Sequence, residues 1–290
     1  MRARGGKPEK PAEAAEPAPA PEPEADEPVI PIEMLRQALD EDRLTHHVQP
    51  IVTLPQRRTH GYDLLPRLMM EDGELADSAD FWPRKGGEDL IRLIELSALT
   101  EAVAIARRAR TAGQPAKFFL PLSAPTLTDA ASFARVTQLL DTNEVICDLL
   151  CFRIAETAWS GLLEHHEAAI EAIAGSKAGF SLNRVRSLRL NYTNLADRGV
   201  SSVRVDARRF IDNPASYTDF HTADIAAYVN RFEVELIVTN VISEPQILTL
   251  LDDGIGLVQG PHISEPGPIR PDLMLRGTTR SSTQTQAAGR

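Results

Sequence analysis

The sequence predicts an α/β fold: a (β/α)8 barrel of the TIM type with one antiparallel strand, flanked by N-terminal and C-terminal segments of non-globular composition. Three observations predict it. Eight short runs rich in β-branched and aromatic residues recur between residues 46 and 261. Helical stretches separate most of the later runs, which implies parallel pairing. The first two runs are joined by only a few residues, PQRR, which implies a hairpin and hence a reversed strand. Eight strands over roughly 240 residues suit a closed barrel, with an open doubly wound sheet as the alternative.

The elements follow in order. IPIEMLRQALDEDR spaces its apolar residues three and four apart, as a helix does. HHVQPIVTL and THGYDLLPRLM are the first two strands. EDLIRLIELSALTEAVAIARRAR is a long helix whose basic last turn suits its C-terminus. KFFLPLS and LLCFRIAE are strands, followed by the helix WSGLLEHHEAAIEAIAGSK. AGFSLN and SSVRVDA are strands, then SYTDFHTADIAAYVNRF is a helix. ELIVTNV is the seventh strand. SEPQILTLLDDG is the last helix, with Ser243 read as its N-cap and proline soon after. GLVQGP closes the set.

Residues 1–29 are rich in Pro, Ala and Glu and cannot bury enough apolar surface to offset ordering. They are expected to be a disordered spacer, with 30–273 the barrel and 274–290 a disordered tail. The net charge of -10 argues against nucleic acid as a partner. No stretch approaches the roughly 18 apolar residues of a membrane span. The expected location is cytoplasmic, with tethering left to any upstream anchor. Cys147 and Cys151, on a presumed strand ICDLLC, would lie on the order of 13 Å apart, too far for a disulfide. Both are expected as reduced core thiols. The pairs His46–His47 and His165–His166 are adjacent and point different ways, so neither builds a metal site. Ser123 lacks a nucleophile elbow.

A parallel barrel places chemistry at the C-terminal ends of its strands. Those ends carry Asp63, Arg67, Pro121, Ser123, Arg153, Glu156, Asn183, Arg184, Arg204, Asp206, Thr239, Asn240 and Gln259. The set is rich in arginine and poor in clustered carboxylates, so ion pairs are expected rather than a metal cage.

In series, six segments resemble the EAL domain, the cyclic di-GMP phosphodiesterase family, over about residues 31–270. They are VQPIVTL, GYDLLPR, FFLPLSAPTL, FRIAET, VSSVRVDARRF and LIVTNVISEPQILTLLDDGIGLVQG. The resemblance implies hydrolysis of a phosphodiester by two metal ions and an activated water. The departures lie at the positions that serve it. Asp63 stands where the family has its signature glutamate, Pro121 its asparagine ligand and Arg153 the first glutamate of its E-I-T-E. Asn183 and Arg184 replace two metal-binding aspartates, and Arg204 the catalytic lysine. Thr239 and Ile242 replace two later glutamates, while Arg186, Ser187 and Leu188 replace a glycine-bearing loop. Arginine repels a cation and stays protonated, which makes it a poor general base.

The resemblance therefore implies a degenerate, inactive member with no metal cofactor. Magnesium or manganese enters only under the alternative, a residual phosphodiesterase. Two regulatory roles are expected in bacterial signalling. One is a metal-free cyclic di-GMP receptor using Gln49, Arg67, Arg184, Arg204, Asp206 and Gln259, with arginines pairing the phosphates. The other is a scaffold for a protein partner, in which Arg67 with Asp63, Arg153 with Glu156, and Arg204 with Asp206 satisfy one another in a reshaped or closed pocket. A homodimer through the long helix region is a further expectation.

Overall fold

The computed structural model describes residues 28–219 and 221–269. The expected spacer and tail, apart from the junction at residues 28 and 29, lie outside them. The chain enters with helix α1, Ile32–Asp40. Strands β1, Leu44–Thr53, and β2, Arg58–Met69, form the expected antiparallel hairpin, with Gln49 opposite Asp63. A short strand β3, Leu75–Asp77, folds back on the far end of β2 and leads into helix α2, Ser78–Phe81. Neither was foreseen, because each is too short to show a period.

Helix α3, Glu88–Thr111, runs along the barrel. Leu90, Ile94, Ala98, Leu99 and Ala102 are buried at helical spacing. Each large aliphatic side chain so placed contributes about 1.5–3 kcal/mol. Gly87 starts the helix at φ 70°, a left-handed conformation that glycine adopts without strain. Then come β4, Lys117–Pro121, and two helices, α4, Ala124–Thr128, and α5, Ala130–Thr142. Asp129 caps α5 by accepting from the Ser132 amide.

The stretch expected as a strand through ICDLLC divides in two. Residues Glu144–Leu149 form a 3-10 helix, and β5 is Leu150–Ala155. Cys147 thus sits on the 3-10 turn and Cys151 on the strand, both buried and free. Helix α6, Glu156–Gly175, follows, then β6, Gly179–Asn183, and helix α7, Tyr192–Asp197. After β7, Val200–Asp206, come α8, Ala207–Asp212, and α9, Thr222–Asn230. Strand β8, Glu235–Thr239, is followed by α10, Glu244–Asp252, and β9, Leu257–Val258. Ser243 precedes α10 but makes no side-chain cap. The Ile242 amide instead donates to the Gln246 side chain. Strand β10, Gly267–Pro268, pairs outside β1.

Eight strands close the ring: β1, β2, β4, β5, β6, β7, β8 and β9, with β9 returning to β1. The pairs from β2 to β9 around the ring are parallel, and β1 is antiparallel to both its neighbours. Alternate residues on each strand point inward. Low in the barrel, Lys117 and His60 meet Glu235 at 3.3 Å and 3.1 Å. Ile51, Phe119, Cys151 and Ile237 form an apolar plug. The inward residues above that plug are polar, and they build the site. Among the described residues no helix is long and apolar enough to cross a membrane.

Candidate functional site

Asp63 is the centre of the polar layer. It lies on β2, beside Phe119 on β4, and is only 2% exposed. Its Oδ2 accepts three hydrogen bonds: from Arg204 Nη1 at 2.8 Å, Arg153 Nη1 at 3.0 Å and Gln259 Nε2 at 2.7 Å. Burial pushes its pKa up, but the charges of Arg153 and Arg204 and the hydrogen bonds outweigh it and hold the carboxyl below its ordinary value.

Each arginine is held from another side as well. Arg153, on β5, also donates to the Leu64 carbonyl at 3.2 Å. Arg204, on β7, is 1% exposed and donates from Nε to Ser181 Oγ at 2.9 Å. Ser202 supports that hydroxyl at 2.8 Å, and the guanidinium stacks over the Phe119 ring at 4.5 Å. One carboxylate therefore faces two guanidiniums, leaving a net positive charge inside the barrel. Arg153 Nε, Arg204 Nη2 and Asp63 Oδ1 are buried without a hydrogen-bond partner among the described residues.

Above this cluster opens a cavity of about 570 Å³, walled also by Gln49, Asn183, Arg184, Arg186, Asp206, Arg209, Thr239 and Asn240. The pocket is open, so of the two forms expected under the scaffold reading, reshaped or closed, closure does not hold. Leu188 is 2% exposed, and its amide bonds to the Tyr217 carbonyl at 2.7 Å, which holds the loop after β6 down beside it. Arg184 and Asn240 both have left-handed backbones, with φ of 55° and 60°. Gln259 is fixed by Gly260. A Cβ there would lie 2.2 Å from the Val241 carbonyl oxygen, so only glycine lets these two strand ends meet.

A second cavity, about 540 Å³, adjoins the first and shares Leu65, Arg153, Asn183 and Arg184 with it. Trp82, Arg84, Glu95, Pro121 and Ser123 line it. Glu95, on α3, accepts from the Ser123 amide at 3.1 Å and Thr126 Oγ1 at 2.5 Å. Its Oε1 and the Ser123 hydroxyl are buried without a hydrogen-bond partner among the described residues. Burial raises the Glu95 pKa to about 7 against those hydrogen bonds. Sequence reading passed over Glu95 as part of a packing helix. An acid on the apolar face of α3 was the available signal.

The expected ion pairs are rearranged. Arg153 turns inward to Asp63, not to Glu156. Arg204 also pairs with Asp63, not with Asp206. Asp206 instead caps α8 through the Arg209 amide at 3.1 Å and accepts from Asn240 at 2.8 Å. Arg67 shares the inward face of β2, but β2 continues past the barrel rim there. Its cross-strand neighbour Asp77 on β3 takes its guanidinium. Arg67 does not wall either cavity. Gln49 reaches the rim and donates to the Ser264 carbonyl at 2.9 Å. Thr239 donates to the Val205 carbonyl at 3.0 Å, and Ile242 is 63% exposed outside the pocket.

A two-metal centre needs several oxygen ligands converging on each ion. Here the buried carboxylate is taken up by two guanidiniums, which repel a cation and cannot be deprotonated. Among the described residues no three His, Cys, Asp or Glu side chains converge. The residues present do not fit such a centre.

Comparison with known proteins agrees with this architecture. The curated signaling protein YkoW of Bacillus subtilis (strain 168) is 22% identical over 237 residues. The match covers 81% of this chain but only 30% of that protein. The FimX EAL domain of Xanthomonas citri, solved in complex with c-diGMP, superposes with a TM-score of 0.67 at 18% identity, covering 82% of this chain and 93% of that one. The PaMucR phosphodiesterase, solved as a c-di-GMP complex, gives 0.66 at 22% identity, covering 82% and 97%. At such identities the structural likeness speaks for the fold alone. The family model of the EAL domain matches residues 32–266. With the closed barrel and its single reversed strand already in place, a match of that length means that the chain belongs to the EAL-domain family.

Proposed function

We propose that this EAL domain binds cyclic di-GMP without metal, does not hydrolyse it, and serves as a regulatory receptor. The observation that carries the reading is Asp63 held between Arg153 and Arg204, where a cation would need a free carboxylate. Guanidiniums offer a phosphate the positive charge and paired N–H donors that ions would otherwise supply. Arg153, Arg184 and Arg204 stand at the floor and wall for this role, with Gln49, Asp206 and Gln259 around them. The adjoining compartment, lined by Trp82, Arg84, Glu95 and Ser123, suits a base. Arg67, engaged by Asp77, acts at most as a rim residue.

The experiment is a calorimetric titration of cyclic di-GMP in EDTA, repeated with magnesium and with manganese, beside a turnover assay. The expected result is micromolar or tighter binding in EDTA, unchanged by metal, with no product. Metal-dependent formation of the linear dinucleotide would establish the residual phosphodiesterase instead. A protein-docking role is favoured by a separate observation. Ile242, two residues after the cavity-wall residue Asn240, is 63% exposed, and Leu248 on α10 is 56% exposed. Absence of heat at saturating nucleotide, with a partner recovered through these residues, would support that reading.

A further inference from the structure

We infer that the acidic stretch immediately upstream of the barrel, residues 13–27, docks into the arginine-lined cavity and competes with the anion it binds. This rests on the reading of that cavity as an anion site. Five arginines wall it, Arg153, Arg184, Arg186, Arg204 and Arg209, against the carboxylates Asp63 and Asp206, an excess of three positive charges. Arg84 adds another in the adjoining compartment. Arg84 and Arg184 make no ion pair among the described residues. Such a site attracts carboxylates as well as phosphates.

The chain itself delivers them. Ile30 is 7% exposed and packs with Phe81, Leu90 and Ile94. Its amide donates to the Asp80 carbonyl at 2.9 Å. The entry point is thus pinned within a helical turn of Ser78, Ala79 and Trp82, which wall the second compartment. Just upstream come Glu13, Glu16, Glu22, Glu24, Asp26 and Glu27, with no basic residue after Lys10. A residue spans at most about 3.5 Å, so Asp26 can reach about 14 Å from Ile30 and Glu22 about 28 Å. The compartments share Arg153 and Arg184, so a segment entering by the second comes up against the floor of the first. Covalent attachment gives a local concentration on the order of 1 mM. A set of carboxylate–guanidinium contacts with an intrinsic Kd of about 0.1 mM would then weaken a competing ligand by about tenfold.

The test uses the full chain with a spin label on Ala25→Cys. Cys147 and Cys151 are buried, so the label is selective. The expected result is paramagnetic broadening of the amide signals of Asn183, Asn240 and Gln259. It should disappear when Glu22, Glu24, Asp26 and Glu27 are changed to Gln or Asn, and in 0.5 M salt, where screening is strong. The same neutralised chain should bind cyclic di-GMP about tenfold more tightly at low salt. Unbroadened cavity signals at low salt overturn the inference whatever the nucleotide does. Broadening without any nucleotide binding upholds the docking and refutes the receptor reading instead.

Discussion

Replacing Asp63 by Asn tests the centre of the site. The substitution keeps the shape and one acceptor for Gln259, and removes the charge between Arg153 and Arg204. Two guanidiniums would then face each other in the barrel, one 1% exposed. Removing one member of a buried charge network costs about 3–5 kcal/mol. For a domain of this size each kcal/mol moves Tm by about 2–4 °C, so the variant should melt roughly 6–20 °C lower. The pH dependence has a definite sign. The Asp63 pKa is depressed in the folded state. Its contribution is therefore complete above the unfolded value near 3.9 and is lost as pH falls through the folded value. Melting curves by circular dichroism should show a constant gap between pH 6 and 8 that narrows below about pH 4. A Tm within about 2 °C of wild type at pH 7 would refute the argument that Asp63 is what holds the two arginines.

Three more predictions follow from neighbouring residues. Arg184→Asn, which suits the left-handed backbone, should weaken cyclic di-GMP at least about tenfold by calorimetry while leaving Tm unchanged, since a charged hydrogen bond contributes about 1.5–3 kcal/mol. Glu95 has its pKa raised to about 7, so the fold binds its proton more tightly than the unfolded chain does. Stability should fall by on the order of 3 kcal/mol as pH rises from about 4.5 to 7, and urea titrations of Glu95→Gln should lack that fall. Gly260→Ala would press a methyl against the Val241 backbone; a loss of roughly 3 kcal/mol or more in urea denaturation, together with weakened ligand binding through Gln259, is the expected outcome.

The ring of strands was legible because each carries its own signal. The run KFFLPLS and the hairpin around Arg57 announce themselves locally. Helix α5, between the strand runs KFFLPLS and LLCFRIAE, was missed although Asp129 caps it. The reading of Cys147 as a strand residue failed for a related reason, because a short apolar run does not distinguish a 3-10 turn from β structure. Pairing within the site was not legible. Arg153 and Arg204 stand 90 and 141 positions from Asp63 and meet it only because the barrel closes. Sequence neighbours such as Asp206 and Glu156 were closer along the chain and pointed elsewhere. Arg67 shows the same limit, since β3, three residues long, supplies the acid that claims it.

The Asp63–Arg153–Arg204 cluster also restricts how such a protein can change. Lengthening Asp63 to glutamate would not create a metal ligand while two guanidiniums hold it. Losing both arginines would leave a carboxylate buried at 2% exposure without a countercharge. Neither change gains a metal ion, and each passes through a less stable protein. The three side chains thus interlock, and a metal-binding barrel could be built on this chain only by replacing several of them at once.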